Sequence, residues 1–127
     1  MEILQTTINC GEVYYTSKLR EQDFGDWTGK GYDEVDFTSP PDNQELLENV
    51  QKRIINFLQT QFITYKSRTI LIITHHGVIG TLICKIRNIS AKEAFFIKQD
   101  NTALNIIEMK DEENFEIKTL NSVAHLN

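Results

Sequence analysis

The sequence contains 127 residues with 40% hydrophobic side chains and a net charge of −5, which fits a single domain over residues 1–127. Its 18 acidic against 13 basic side chains leave no basic stripe to displace phosphate counterions, so we expect no nucleic-acid binding. No apolar run approaches the ~20 residues that cross a bilayer, no leader opens the chain, and the two cysteines are too few for a disulfide scaffold. We therefore expect a cytoplasmic protein without membrane contact.

The first half of the chain predicts one clear helix. Residues 1–10 are typical of a helix end that leads into a short extended piece, and β-branched and aromatic residues over Glu12–Leu19 predict a strand. Glycines between positions 19 and 35 then predict a structured loop. After two prolines, apolar residues at three- and four-residue spacing predict a helix near 43–65, opened by a capping box of Asp42 and Glu45.

The second half of the chain alternates strand and helix. The β-branched run Thr69–Thr74 predicts a strand buried on both faces of a parallel sheet, and residues 78–86 predict a second helix. A short helix is predicted over 91–96. Leu104–Met109 and Phe115–Leu120 flank a polar turn and predict two antiparallel strands. This alternation predicts an α/β fold.

His75, His76 and Gly77 stand between the predicted strand and the second helix. Ligands of open α/β sheets bind beyond the carboxyl ends of strands, where the N–H groups that open a helix attract anions. Histidine adds donors that exchange protons near neutral pH, and glycine lets a ligand approach the backbone. These residues indicate an anion or phosphate site, and the alternative is that the histidines only satisfy the end of the strand.

The same histidines do not predict a metal site. Adjacent residues of an extended chain point to opposite sides, and the remaining histidine, His125, has no ligand spacing to the pair. We therefore expect no metal ligands in this chain.

Glu21 taken alone is a solvated loop residue, and its neighbours change this interpretation. The segment Leu19–Gly29, L-R-E-x-x-F-G-x-W-x-G, resembles the signature loop of the histidine phosphatase superfamily, in the phosphoglycerate-mutase-like branch of broad-specificity and α-ribazole phosphatases. The segment Ile73–Ile83, ITHHGVIGTLI, is similar to the second signature of that family. Asn101–Asn105 and Leu120–Leu126 match two later segments of the family in the same order.

The resemblance implies a three-layer sandwich in which helices flank a mostly parallel sheet. It also implies a phosphomonoesterase that passes the phosphoryl group of a small phosphorylated metabolite through a phosphohistidine, with neither metal nor cofactor. By matched position, Glu21 is the catalytic proton donor and His75 is the second catalytic histidine, which stabilises developing charge. His76 and Gly77 match the phosphate-binding turn that follows.

One part of the family pattern is absent from this sequence. The family nucleophile lies in an Arg-His-Gly triplet on the first strand, and the sequence contains no such triplet and neither of the two matching phosphate-clamping arginines. We therefore expect an N-terminally truncated domain that is inactive alone and active with the missing segment. Because Thr69–Thr74 would then expose an apolar edge, we expect either a homo-oligomer or pairing with that segment.

Two alternatives stay open at the level of sequence. In the first, the chain is a non-catalytic phosphate- or anion-binding or interaction module that keeps the fold. In the second, His75 or His76 acts as nucleophile in a rebuilt site, which is disfavoured because catalysis by positioning tolerates little displacement of the reacting groups.

Overall fold

The computed structural model describes residues 11–126 except the side chain of Tyr32. In these residues the helices are α1, Leu47–Thr64, and α2, His76–Ile86, and the strands are β1, Leu104–Met109, and β2, Phe115–Ser122. Short 3-10 helices lie in the connections, at Ser17–Leu19, Gly25–Trp27, Tyr32–Glu34, Ala91–Phe96 and Ala124–Leu126. The prediction for residues 1–10 lies outside the described residues. Neither α1 nor α2 is long and apolar enough to cross a membrane.

Helix α1 confirms the first predicted helix but begins at Leu47 rather than near position 43. The predicted capping box does not form, because the Glu45 carboxylate binds the guanidinium of Arg53 and the backbone N–H of Asp23 instead. The partly buried ion pair stabilises the fold more than a capping hydrogen bond would, because water can replace the cap. The buried face of α1 consists of Val50, Ile54 and Leu58, at the spacing that the sequence predicts.

Helix α2 is the more buried of the two helices and joins the parts of the core. It begins at His76 rather than at Val78. One cluster of buried residues joins α2 to α1, and a second joins α2 to the 3-10 helix Ala91–Phe96 and the residue that follows it. Gly80 permits this second contact, because a Cβ at that position would lie 2.3 Å from the carbonyl oxygen of Ala94.

Strands β1 and β2 confirm the predicted hairpin. They pair antiparallel, with Ile107 opposite Ile117 and Met109 opposite Phe115. The apolar side chains of this hairpin face both core clusters, so β1 and β2 cover the core on the side of α2.

The predicted parallel sheet is not confirmed. Residues 69–74 are extended but form no strand pair in the described residues, and Ile70, Leu71 and Ile73 are 43%, 55% and 47% exposed. The predicted strand Glu12–Leu19 is wrong, since residues 12–16 form no strand and the last three residues form the 3-10 helix Ser17–Leu19. A β-branched run becomes a strand only when a neighbouring strand accepts its backbone hydrogen bonds, so propensity alone does not decide it.

Candidate functional site

The carboxylate of Glu21 lies at the N-terminal end of α2. The backbone N–H of Gly77 donates to Glu21 Oε2 at 3.1 Å, although the two residues are 56 positions apart. The backbone N–H of Gln22 donates to Glu21 Oε1 at 2.9 Å. The first N–H groups of a helix have no partner within the helix, and the helix dipole favours negative charge there. The fold therefore brings Glu21 to the turn formed by His75, His76 and Gly77.

Gly77 is the residue that makes this approach possible. A Cβ at this position would lie 2.4 Å from Glu21 Oε1 and 3.2 Å from Cζ of Phe95. Gly77 is predicted from the sequence as a place where the backbone meets a ligand. In the structure the group that meets the Gly77 backbone is the side chain of Glu21.

His75 is the N-cap of α2, and its side chain is exposed. Its carbonyl accepts the first backbone hydrogen bond of the helix, from Ile79 at 3.0 Å. Its side chain lines a cavity of about 170 Å³ together with Arg20 and Ile73. The other lining residues are Tyr14, Tyr15, Thr16 and Leu19. His75 is thus available at the surface beside the Glu21 loop.

The ring of His76 packs against the 3-10 helix Ala91–Phe96 and the residue that follows it. Its Nε2 lies 2.8 Å from the carbonyl oxygen of Ile97, and because a carbonyl only accepts, Nε2 carries the proton and donates. The ring also meets Phe95 edge-on, with 5.7 Å between the ring centroids. The imidazole of His76 therefore holds α2 to its neighbour, and its backbone stays at the turn.

Arg53 of α1 is a site residue that the sequence analysis did not single out. Its guanidinium donates to both carboxylate oxygens of Glu45, at 2.9 and 3.2 Å. It also donates to the carbonyl of Lys18 at 2.7 Å and to the carbonyl of Glu21 at 3.1 Å. The side chains of Arg53 and Glu45 are only 17% and 14% exposed. No local pattern marks this arginine, since its partners lie on other segments of the chain.

The charge of Glu45 is stabilised by these neighbours. Burial alone would raise the pKa of Glu45, but the hydrogen bonds from Arg53 and from the Asp23 backbone, with the charges of Arg53 and Arg20, hold that pKa below its ordinary value. The pair is therefore ionised at neutral pH and anchors the loop around Glu21 to α1.

The part of the chain that the structure describes holds no group of three or more His, Cys, Asp or Glu residues placed to bind a metal ion. Glu21, His76, Glu45 and Arg53 of the site are instead bound to backbone groups or to one another, whereas the side chain of His75 is exposed.

Comparison with known proteins identifies the family. The family described as Histidine phosphatase superfamily (branch 1) matches residues 1–123. The chain belongs to the histidine phosphatase superfamily. The match includes Glu21 and the turn at His75, the two places where the sequence resembles the family signatures.

Two curated relatives match this chain over most of its length. It is 25% identical over 128 residues to "Putative phosphoserine phosphatase 2" of Hydrogenobacter thermophilus, a match covering 90% of this chain and 62% of that protein. It is 28% identical over 134 residues to "Phosphoglycerate mutase-like protein 4" of Arabidopsis thaliana, covering 92% of this chain and 57% of that protein. The chain thus spans less than two thirds of the length of either relative.

The fold of the chain is similar to that of a solved structure, Bacillus stearothermophilus YhfR. The TM-score is 0.86 at 25% identity, over 99% of this chain and 69% of YhfR. The chain therefore has an α/β fold of this type.

Proposed function

We propose that this chain carries the proton donor, Glu21, and the second histidine, His75, of a phosphomonoesterase site of the histidine phosphatase type. The proposed substrate is a small phosphorylated metabolite. The observation that carries the proposal is the Glu21 carboxylate, held at the N-terminal end of α2 beside His75 in a chain that belongs to this superfamily. A carboxylic acid next to a histidine can protonate a leaving group. The N–H groups that open a helix can neutralise part of the charge of a phosphoryl group.

In the proposed reaction, a histidine nitrogen bonds to phosphorus while the bond from phosphorus to the leaving oxygen breaks. Glu21 enters this step as the neutral acid and delivers its proton to that oxygen, and His75 donates a hydrogen bond to the charge on the equatorial oxygens. An oxygen of water then bonds to phosphorus while the bond from phosphorus to the histidine nitrogen breaks, one proton of that water returns to Glu21, and orthophosphate is released. The Gly77 N–H binds Glu21 in the structure, so a phosphoryl oxygen reaches that N–H only by displacing the carboxylate. The backbone N–H of His76 lies at the same turn, and it is the donor that we propose for the phosphoryl group.

The nucleophile is the part of the site that we assign to an additional segment. The sequence has three histidines and no Arg-His-Gly triplet. The ring of His76 is bound to Ile97, and Arg53 is bound to Glu45 and two carbonyls, so neither is available to a phosphate. We propose that these 127 residues alone are inactive and that an extended apolar segment pairs beside residues 69–74, next to the cavity that His75 lines.

The experiment that tests this function is hydrolysis of para-nitrophenyl phosphate without added metal. The 127-residue chain is assayed alone and fused to an added N-terminal segment that is taken from a family member and carries the Arg-His-Gly triplet, each with a His75→Ala variant. We expect turnover only in the fusion and a large loss in its His75→Ala variant. Turnover by the chain alone would place the nucleophile within these residues, and turnover of the fusion unaffected by His75→Ala would contradict the assigned site.

The second candidate function is a non-catalytic module that binds phosphate or another anion, or a partner protein. The exposed apolar side chains of Ile70, Leu71 and Ile73 favour an interaction surface, because an unpaired extended segment is a template for pairing. Binding of orthophosphate by the chain, followed by phosphorus NMR, without turnover in the fusion would favour this second function.

A further inference from the structure

Arg53 contacts the loop of Glu21 at more points than its ion pair with Glu45 requires. Two of its four hydrogen bonds go to Glu45. The other two go to the carbonyls of Lys18, in the 3-10 helix Ser17–Leu19, and of Glu21, three positions later in the loop that follows. A planar guanidinium with donors in a fixed fork can bridge these acceptors at once, whereas the point charge of a lysine cannot.

Glu45 binds the same loop from its other side. Its carboxylate accepts the N–H of Asp23 at 3.2 Å, and its backbone N–H donates to the carbonyl of Asp23 at 2.8 Å. Its carbonyl accepts the side-chain amide of Gln22 at 2.6 Å. The backbone on both sides of Glu21 is therefore bound by the pair of Glu45, which precedes α1, and Arg53, which lies within α1.

We infer that Arg53, held by Glu45, is a positioning residue that sets where the Glu21 carboxylate meets α2. Since the Glu21 backbone is bound by Arg53 and its side chain by the Gly77 N–H, the two contacts together determine the direction of the carboxylate. That Arg53 positions a catalytic acid rests on the proposed function. That Arg53 positions the Glu21 carboxylate does not rest on it.

The test uses the backbone amide resonance of Gly77 in the purified 127-residue chain, recorded by proton–nitrogen NMR. A Glu21→Ala variant defines the shift of this resonance when its acceptor is lost. We expect Arg53→Lys to move the Gly77 resonance at least half of that distance, while the amides of Ile83 and Cys84 in the middle of α2 stay in place. Lys52→Gln, at an exposed position next to Arg53 on the same helix, is the matched control and leaves Gly77 unmoved.

A second variant guards against loss of the fold. The double substitution Arg53→Met with Glu45→Gln removes the guanidinium without leaving a partly buried carboxylate unpaired, and we expect it to move the Gly77 resonance as Arg53→Lys does. A Gly77 resonance that stays within a tenth of the reference shift in either folded variant would overturn the inference. Failure of both variants to fold would also overturn it, because Arg53 would then serve the fold as a whole. The NMR measurement needs no turnover, so an inactive fusion enzyme would contradict the proposed function without contradicting this inference. In the same way, an unmoved Gly77 resonance would contradict this inference without contradicting the proposed function.

Discussion

Replacing Gly77 by alanine tests the contact on which the site depends. The new Cβ would lie 2.4 Å from Glu21 Oε1, which is the end of a flexible side chain, so we expect the carboxylate to move away rather than the helix. The move breaks the hydrogen bond from the Gly77 N–H to a charged acceptor, which costs about 2 kcal/mol. Because Gly77 is the second residue of α2, alanine in its place stabilises the helix by at most about 1 kcal/mol. The expected net loss in the free energy of unfolding is therefore at least about 1 kcal/mol.

The double-mutant cycle with Glu21→Ala makes this prediction specific. In the Glu21→Ala background the carboxylate is absent, so Gly77→Ala should stabilise the chain by up to about 1 kcal/mol through helix propensity. The coupling energy between the two positions is then about 2 kcal/mol, measured by urea denaturation of the four proteins. Gly11→Ala is the control, because a Cβ there meets nothing within 4 Å. A coupling energy below about 0.5 kcal/mol would refute the contact between Glu21 and the start of α2.

Three further substitutions test other parts of the argument. Gly80→Ala should lower the free energy of unfolding by about 3 kcal/mol in urea titrations, because its Cβ would lie 2.3 Å from a backbone oxygen of Ala94 that cannot turn away; a loss no larger than that of Gly77→Ala would contradict the packing of α2. Glu45→Gln should destabilise by about 2 kcal/mol at pH 7. Because the pKa of Glu45 is lowered in the folded chain, this stabilisation is complete above the unfolded pKa of about 4.3 and is lost as pH falls from there through the lower pKa of the folded chain. The difference in free energy of unfolding between Glu45→Gln and the parent should therefore close in acid. In the active fusion, Glu21→Gln should slow phosphate esters of alkyl alcohols and spare para-nitrophenyl phosphate, whose leaving group needs no proton; equal losses on both would exclude Glu21 as the acid.

The sequence by itself predicted the parts of this protein that rest on local patterns. Apolar spacing predicted α1 and α2, a polar turn between two alternating segments predicted the hairpin, and the ordered motifs around Glu21 and His75 identified the superfamily. Each of these predictions depends on a periodicity, a turn or a motif whose residues lie within a few positions of one another, where helix periodicity and turn chemistry act directly.

Tertiary structure decided where the site residues meet. The hydrogen bond from the Gly77 N–H to the Glu21 carboxylate joins residues that are 56 positions apart. The hydrogen bond from Arg53 to the Glu21 carbonyl joins a helix to a segment of irregular structure. The same reason explains why the prediction of a parallel-sheet strand at residues 69–74 is not confirmed. Their β-branched composition favours a strand, but a strand needs a neighbour for its backbone hydrogen bonds, and the described chain offers none beside this segment. Contacts between distant segments depend on how whole elements pack, and that information is not contained in any local run of residues.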